Sequence, residues 1–300
     1  MASDEAYHRP QRSEDDGAPE SAPISIVTPA TPILGRVELT TPERRPAILQ
    51  KTPPDASFAI ADGRLWDETV INRDDRVPVP DVFQYPWRAI CALRITSRAG
   101  TQYVGTGWFA SPTLVVTAGH CVYLHKDGGW AKEITVIPAL NGGEPPRFGT
   151  IKATRFRTVD GWIAGKAAGS DYGGILLDRP LGDQLGYFAV GALGDEQLKR
   201  SWANISGYPS DLGSARQQYF HARLLVEVNE SRLFYDIDTF SGQSGSPIWF
   251  TADDGRRIAI GIHTSGTQRE NAGTRINGNV LANLRDWRHN VPGQARASAS

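Results

Sequence analysis

From Ile90 onward the apolar positions come in short bursts separated by turn formers. Ile90–Ile95, Tyr103–Phe109, Leu114–Thr117, Ile134–Ile137, Ile151–Phe156 and Ile175–Leu177 form a first set. Ala203–Tyr208, Tyr219–Val228, Leu233–Ile237, Ser246–Phe250 and Ile258–His263 form a second. Gly, Pro, Asp and Asn cluster between them. Many short strands with turn signals predict an all-β barrel or sandwich rather than βαβ units. Within the first set, Trp87 to Leu93 alternates as a strand, Ser97-Arg98-Ala99-Gly100 reads as a turn and Tyr103–Phe109 returns, which predicts a hairpin. Helical spacing occurs at Val280, Leu281, Leu284 and Trp287, predicting a helix over Asn279–His289.

The first 65 or so residues are a different material. They hold nine of the 20 prolines, no tryptophan, no cysteine and only two aromatics, Tyr7 and Phe58. A segment so poor in packing groups does not offset its ordering entropy. Residues 1–56 are therefore expected to be disordered or extended, with Phe58–Trp66 as a stretch that could dock on the body. At 300 residues and 40% hydrophobic content the chain can bury a large core, as one two-lobed unit or two small domains. A net charge of −1 argues against a nucleic-acid or anionic-membrane partner held by bulk electrostatics. No apolar run approaches the length of a membrane span. Met1-Ala2-Ser3-Asp4-Glu5 lacks the basic and apolar regions of a secretory signal, so the compartment stays open.

Three stretches carry the candidate chemistry. Gly242-Gln243-Ser244-Gly245 offers a serine on a tight turn, whose Gly242 and Ser244 backbone N–H groups can converge as an oxyanion hole. Such donors contribute roughly 10²–10³ in rate each. Val115-Val116-Thr117-Ala118-Gly119-His120-Cys121 places a histidine after a β-branched strand and a small-residue turn. Ser170-Asp171-Tyr172-Gly173-Gly174 places a carboxylate at the mouth of the strand Ile175-Leu176-Leu177. A serine hydroxyl needs an imidazole to take its proton, and a carboxylate to hold that imidazole in the right tautomer. Taken singly, the serine loop reads equally as a Gly/Ser turn and the histidine as structural. Asp160, in a turn, and Asp178, at a strand exit before Arg179-Pro180, compete with Asp171. His8, His125 and His289 lack such a context and read as solvated, and His221 reads as a satisfied surface residue in a polar strand.

With these residues in place, the chain resembles the glutamyl endopeptidase branch of the chymotrypsin-like serine proteases. The order His, Asp, Ser fits that fold and not the subtilisin or α/β-hydrolase orders. The matching text is Ile237-Asp238-Thr239-Phe240-Ser241-Gly242-Gln243-Ser244-Gly245-Ser246 and Ile260-Gly261-Ile262-His263, with Ser206-Gly207-Tyr208-Pro209 and Leu185-Gly186-Tyr187 in support. It runs from about Val70 to His289. The resemblance implies two six-stranded antiparallel β-barrels, spanning 67–195 and 196–290 with the C-terminal helix in the second. A disordered extension or propeptide over 1–66 and a tail over 291–300 flank them. It implies a serine endopeptidase that works through an acyl-enzyme, with His120, Asp171 and Ser244 as catalytic residues, on peptide or protein substrates. It implies cleavage after Glu, and more weakly after Asp.

In that comparison Thr239 and His263 line the specificity pocket, and Thr264, Ser265 and Gly266 form the edge that pairs with substrate backbone. Asp238 leaves a second reading open, because it stands where trypsin-like enzymes keep the acid that binds Arg or Lys. A protease-fold protein that binds without cutting is the other functional class. The family's bridge to the cysteine after the catalytic histidine suggests Cys91–Cys121, since the hairpin brings Cys91 level with roughly Gly105; two buried thiols are the alternative. Glu68-Thr69-Val70-Ile71 is a candidate activation junction, because in this branch a freed α-amino group adds positive charge near the pocket. Neither a cofactor nor a metal is implied. The family also suggests a secreted monomer.

Overall fold

The computed structural model describes residues 8–13, 69–71, 73–266 and 270–289. The expected disorder of residues 1–56, apart from 8–13, the docking of Phe58–Trp66 and the tail after 290 lie outside these residues.

The first half contains β1 (Pro10–Arg12), β2 (Ile90–Thr96), β3 (Gln102–Phe109), β4 (Leu114–Thr117), β5 (Glu133–Pro138), β6 (Ile151–Ala153), β7 (Arg155–Val159) and β8 (Gly173–Leu176). They pair antiparallel in the order β1-β7-β8-β4-β3-β2-β5-β6. The pattern fixes which face is buried: in β5, Ile134, Val136 and Pro138 point inward and the residues between them are half-exposed. The strand expected over Ile151–Phe156 divides at Thr154. Its first part pairs with β5 and its second with β8, so one stretch of chain lies near both ends of the order and the sheet curls round.

The second half contains β9 (Trp202–Gly207), β10 (Tyr219–Val228), β11 (Arg232–Tyr235), β12 (Pro247–Thr251), β13 (Arg257–Gly266) and β14 (Asn271–Arg275). The path β13-β12-β9-β10-β11-β14 closes because β14 pairs back onto β13. β14 escapes the apolar pattern, yet all five of its residues are buried. It is built of small and polar groups because the closed barrel is tight there. A Cβ on Gly273 would stand 2.4 Å from Ile248 Cδ1 and from Ile262 O. The helix α1 (Gly278–His289) follows, with Asn277 Oδ1 capping the Val280 N–H at 3.0 Å. Among the described residues no helix is long and apolar enough to cross a membrane. Aromatic rings join the halves: Trp108 of β3 packs on Phe188 at 5.6 Å, and Phe188 on Trp249 of β12 at 5.7 Å.

Within the proline-rich start, the structure describes His8–Ser13. β1 adds to the edge of β7, with Pro10 opposite Val159 and Arg12 opposite Arg157. Ser13 Oγ accepts the Phe156 N–H at 3.0 Å. His8, expected in solvent, is buried: its Nδ1 lies 2.9 Å from Tyr172 Oη, and its carbonyl accepts from Asn283 at 2.7 Å. A net contribution of about 1 kcal/mol per such bond predicts that deleting residues 1–13 lowers unfolding free energy by roughly 2–4 kcal/mol. Urea denaturation reads this as a lower midpoint, and an unchanged midpoint would show that the strand adds no stability.

Candidate active site

The ladder between β4 and β8 puts two of the candidate residues together. Gly173 pairs with Thr117, so Asp171, two residues before β8, and the turn just after β4 emerge at the same end of the sheet. That turn, Gly119–Val122, is a single helical turn carrying His120. Asp171 answers it twice. Its Oδ2 lies 2.8 Å from His120 Nδ1 and its Oδ1 accepts the His120 backbone N–H at 2.9 Å. Gly119 makes room for this contact, because a Cβ there would stand 3.1 Å from Asp171 Oδ1 and 3.0 Å from the Trp162 ring. The Asp171 carbonyl is held by Thr274 Oγ1 at 3.1 Å. Both His120 and Asp171 are buried. Asp160 starts a short helix and Asp178 pairs with Arg155 while its own carboxylate stays largely exposed, so neither rival reaches the imidazole.

Burial pulls the His120 pKa down, but the charge of Asp171 outweighs it, helped by Cys121 and by the hydrogen bond from Asp171, and the imidazole lies well above its ordinary value. A general base works only unprotonated. A raised pKa keeps the ring protonated to higher pH, so activity is gained as pH rises through that value. The acid limb of kcat/KM is expected above about pH 6.5, and Asp171→Asn should move it downward while lowering the plateau. A limb below the ordinary histidine range in the unsubstituted protein would contradict this electrostatic picture.

Ser244 is half-buried on a loop clamped by both halves. Thr106 of β3 donates its N–H to Ser244 O at 2.9 Å and its hydroxyl to Gly242 O at 2.8 Å. From β13, His263 O accepts the Gly245 N–H at 2.7 Å. Gly242 and Gly245 have φ of 101° and 90°, the left-handed region. A Cβ on Gly245 would lie 2.2 Å from Thr106 O. The loop also rests on the histidine turn, with Cys121 Sγ 3.9 Å from Ser244 O.

The expected disulfide is overturned: Cys91 and Cys121 are free, buried thiols. The hairpin register explains it. Cys91 pairs opposite Gly107 rather than Gly105. Cys121 Sγ instead packs on Gly105, 3.0 Å from where a Cβ would stand. The position facing Cys121 carries no sulfur, and Cys91 lies on the neighbouring strand, two register positions (roughly 7 Å) further along it. Burial pushes the Cys91 thiol well above its ordinary pKa.

Thr239 and His263 are both fully buried. His263 Nδ1 lies 2.6 Å from Tyr235 Oη. Thr239 Oγ1 has no hydrogen-bond partner among the described residues. Thr264, Ser265 and Gly266 end β13 beyond the last β12 partner, Pro247 opposite Ile262, so among the described residues no strand pairs with them on that side. Asp238 is committed elsewhere. Its Oδ1 accepts the Ile71 N–H at 2.7 Å and its Oδ2 the Asp75 N–H at 2.9 Å. Its Oδ2 also lies 3.4 Å from His221 Nδ1. His221 is thus a buried neighbour of Asp238 rather than a surface residue. Burial lowers its pKa against the pull of Asp238, consistent with Nδ1 accepting the Asp238 N–H at 2.9 Å. Asp75, His221 and Asp238 bring three potential metal-ligand atoms within 4.8 Å. Both Asp238 oxygens are already taken, however, and Arg223 lies against Asp75 at 2.8 Å and His221 at 3.2 Å.

Sequence reasoning missed several neighbours. Trp162 packs its ring 6.1 Å from His120, and His125, expected in solvent, stands 5.1 Å from Trp162 with Nε2 on Ile163 O at 3.0 Å. Tyr235, Thr106 and Arg232 sit in ordinary strand text and carry no spacing signal.

Comparison with known proteins agrees with this geometry. The Trypsin family model matches residues 80–287. The chain is 34% identical over 249 residues to a glutamyl endopeptidase of Bacillus licheniformis, covering 81% of this chain and 74% of that one. It is 33% identical over 224 residues to a Bacillus subtilis protein named an extracellular metalloprotease, covering 74% and 71%. Among solved structures it resembles a Glu endopeptidase with a TM-score of 0.66 at 24% identity, covering 74% of this chain and all of that one. The chain belongs to the trypsin family of serine proteases.

Proposed function

We propose that this serine endopeptidase cleaves after glutamate, with Ser244 as nucleophile, His120 as general base and Asp171 as the residue that orients it. Asp171 engages Nδ1, which leaves Nε2 to take the Ser244 proton during attack and return it to the leaving amine. The Gly242 and Ser244 N–H groups receive the oxyanion. Aspartate is the weaker alternative at the scissile position.

The observation that carries the glutamate reading is the contrast between Asp238 and Thr239. The Asp238 carboxylate oxygens are each taken by a backbone N–H, from Ile71 and from Asp75, which competes with any substrate Arg or Lys. The Thr239 hydroxyl is buried and has no partner among the described residues, which leaves a donor for an incoming acceptor. Were Tyr235 Oη to donate to His263 Nδ1 across their 2.6 Å contact, the ring's proton would sit on Nε2, a second donor suited to a carboxylate. The glutamyl endopeptidase relative supports the same choice. Two measurements test the proposal: fluorophosphonate labelling, expected at Ser244, and cleavage profiling on a peptide library, expected to show cuts after Glu. Unlabelled protein would favour a non-cleaving binder, and cuts after Arg or Lys would return the pocket to Asp238.

The proposal extends to the chain before Val70 as a removable segment. Thr69 O accepts the Thr239 N–H at 3.3 Å, so a new α-amino group at this junction would arise beside the pocket. Trace active enzyme is expected to cut Ser244→Ala protein between Glu68 and Ile71, and N-terminal sequencing reads the cut. An uncut junction with equal activity in a chain starting at Val70 would leave the segment as a tail.

A further inference from the structure

One buried cation near the cleft has no counter-ion among the described residues. Arg232, at the start of β11, is 9% exposed. Its Nη2 donates to Ser265 Oγ at 2.8 Å and its guanidinium lies 5.6 Å from the Phe234 ring. Its Nε has no hydrogen-bond partner. Two other buried arginines are paired: Arg76 meets Asp211 at 2.6 Å and Asp74 at 2.8 Å, and Arg275 meets Asp195 at 2.7 Å. Around Arg232, Tyr235, Asp171 and Glu270 act through space, but no carboxylate of the described residues comes within ion-pair distance. A desolvated guanidinium left without an anion is costly, and a planar fork of donors favours a carboxylate.

The position of Arg232 says where that carboxylate would come from. Ser265, the one hydrogen-bond partner of its side chain among the described residues, is the middle residue of the Thr264–Gly266 edge, which among those residues has no strand partner on its β12 side. An extended substrate added there runs antiparallel to β13. β13 slips register between His263 and Ser265, which oppose the adjacent residues Gly273 and Ala272 and so point to opposite faces; a scissile residue seated in the pocket of Thr239 and His263 would then stand level with Thr264. The residue before it then lies level with Ser265, and directly opposed residues share a face. Alternation turns the second and fourth residues before the bond toward that face.

We infer that Arg232 forms an acid-selective subsite of the substrate cleft, binding a carboxylate side chain at the second or fourth residue before the scissile bond. The inference rests on the protease reading above and deepens it from one recognised carboxylate to two. The substrates it favours are acidic stretches rather than isolated glutamates. A charged hydrogen bond of this kind makes an Asp or Glu at that position roughly 10- to 100-fold better in kcat/KM than Gln or Ala.

The test is a positional library with the scissile residue held at whichever type the enzyme prefers. Residues two to four before the bond are varied among Glu, Gln, Lys and Ala. Acid preference is expected at the second or fourth position and not at the third. Arg232→Gln should collapse the ratio of acidic to neutral substrates toward one, and Arg232→Lys should retain part of it. A flat profile at both positions in the unsubstituted enzyme overturns the inference while leaving cleavage after Glu standing. Loss of Glu at the scissile position would instead remove the specificity reading, and the subsite profile would still be read. If Arg232→Gln fails to fold, the unsubstituted profile and Arg232→Lys decide alone. An acid preference undiminished in a folded Arg232→Gln protein also overturns it.

Discussion

Replacing Ser244 with Ala is expected to lower peptide hydrolysis on the order of 10⁶-fold, and His120→Ala by a similar factor. The two losses should not multiply in the double variant, because serine and imidazole act as one unit. Asp171→Ala should cost less, on the order of 10⁴, since it removes orientation and leaves nucleophile and base in place. The structure gives the Asp171 variant a particular weight. This carboxylate holds both the ring, at 2.8 Å, and the backbone, at 2.9 Å, of His120, so its loss frees the whole turn. Single-turnover kinetics on one peptide substrate, with folding checked by thermal denaturation, separates loss of chemistry from loss of structure. Turnover by folded Ser244→Ala near the unsubstituted rate would remove the triad assignment altogether.

The parts legible in the sequence are those where local pattern and tertiary demand agree. Leu114–Thr117 is apolar because it is a central strand buried on both sides, and the turn after it delivers His120. Gly242 and Gly245 are legible because only glycine tolerates their φ and their contacts. The unreadable parts are those set by distant contact. β14 is polar and small because the closed barrel leaves no room, a constraint absent from its own text. β1 is too short to show against the proline-rich stretch around it, and its stability comes from Tyr172, Asn283 and the β7 edge. The hairpin was readable but its register was not, and a two-residue offset moved Cys91 away from Cys121. Asp238 shows the same division. Its position six residues before the nucleophile was visible, but only the fold shows Ile71, Asp75 and His221 gathered around its carboxylate.

The pocket yields the other large effect. Peptides with Glu at the scissile position should be cut roughly 10²–10⁴-fold faster than their Gln counterparts, because buried donors left facing an ill-matched group are penalised. His263→Ala should erase most of that ratio. The side chain is fully buried, so the variant loses a donor and leaves Tyr235 Oη without the partner it has at 2.6 Å. That costs about 1–3 kcal/mol of stability in addition. The nucleophile loop is insulated from the change, because His263 holds it through backbone groups that alanine also has. Its carbonyl accepts from Gly245 at 2.7 Å and its N–H donates to Ser246 O at 2.9 Å. Fluorophosphonate carries no glutamate side chain, so it should still label Ser244 in the variant while discrimination of Glu from Gln collapses. Thr239→Val offers an independent cut at the same site: it removes an unpaired hydroxyl at little cost in volume, so the free enzyme should be no less stable while Glu preference falls. Were both variants to keep the full Glu preference, the carboxylate would have to be held by groups other than Thr239 and His263.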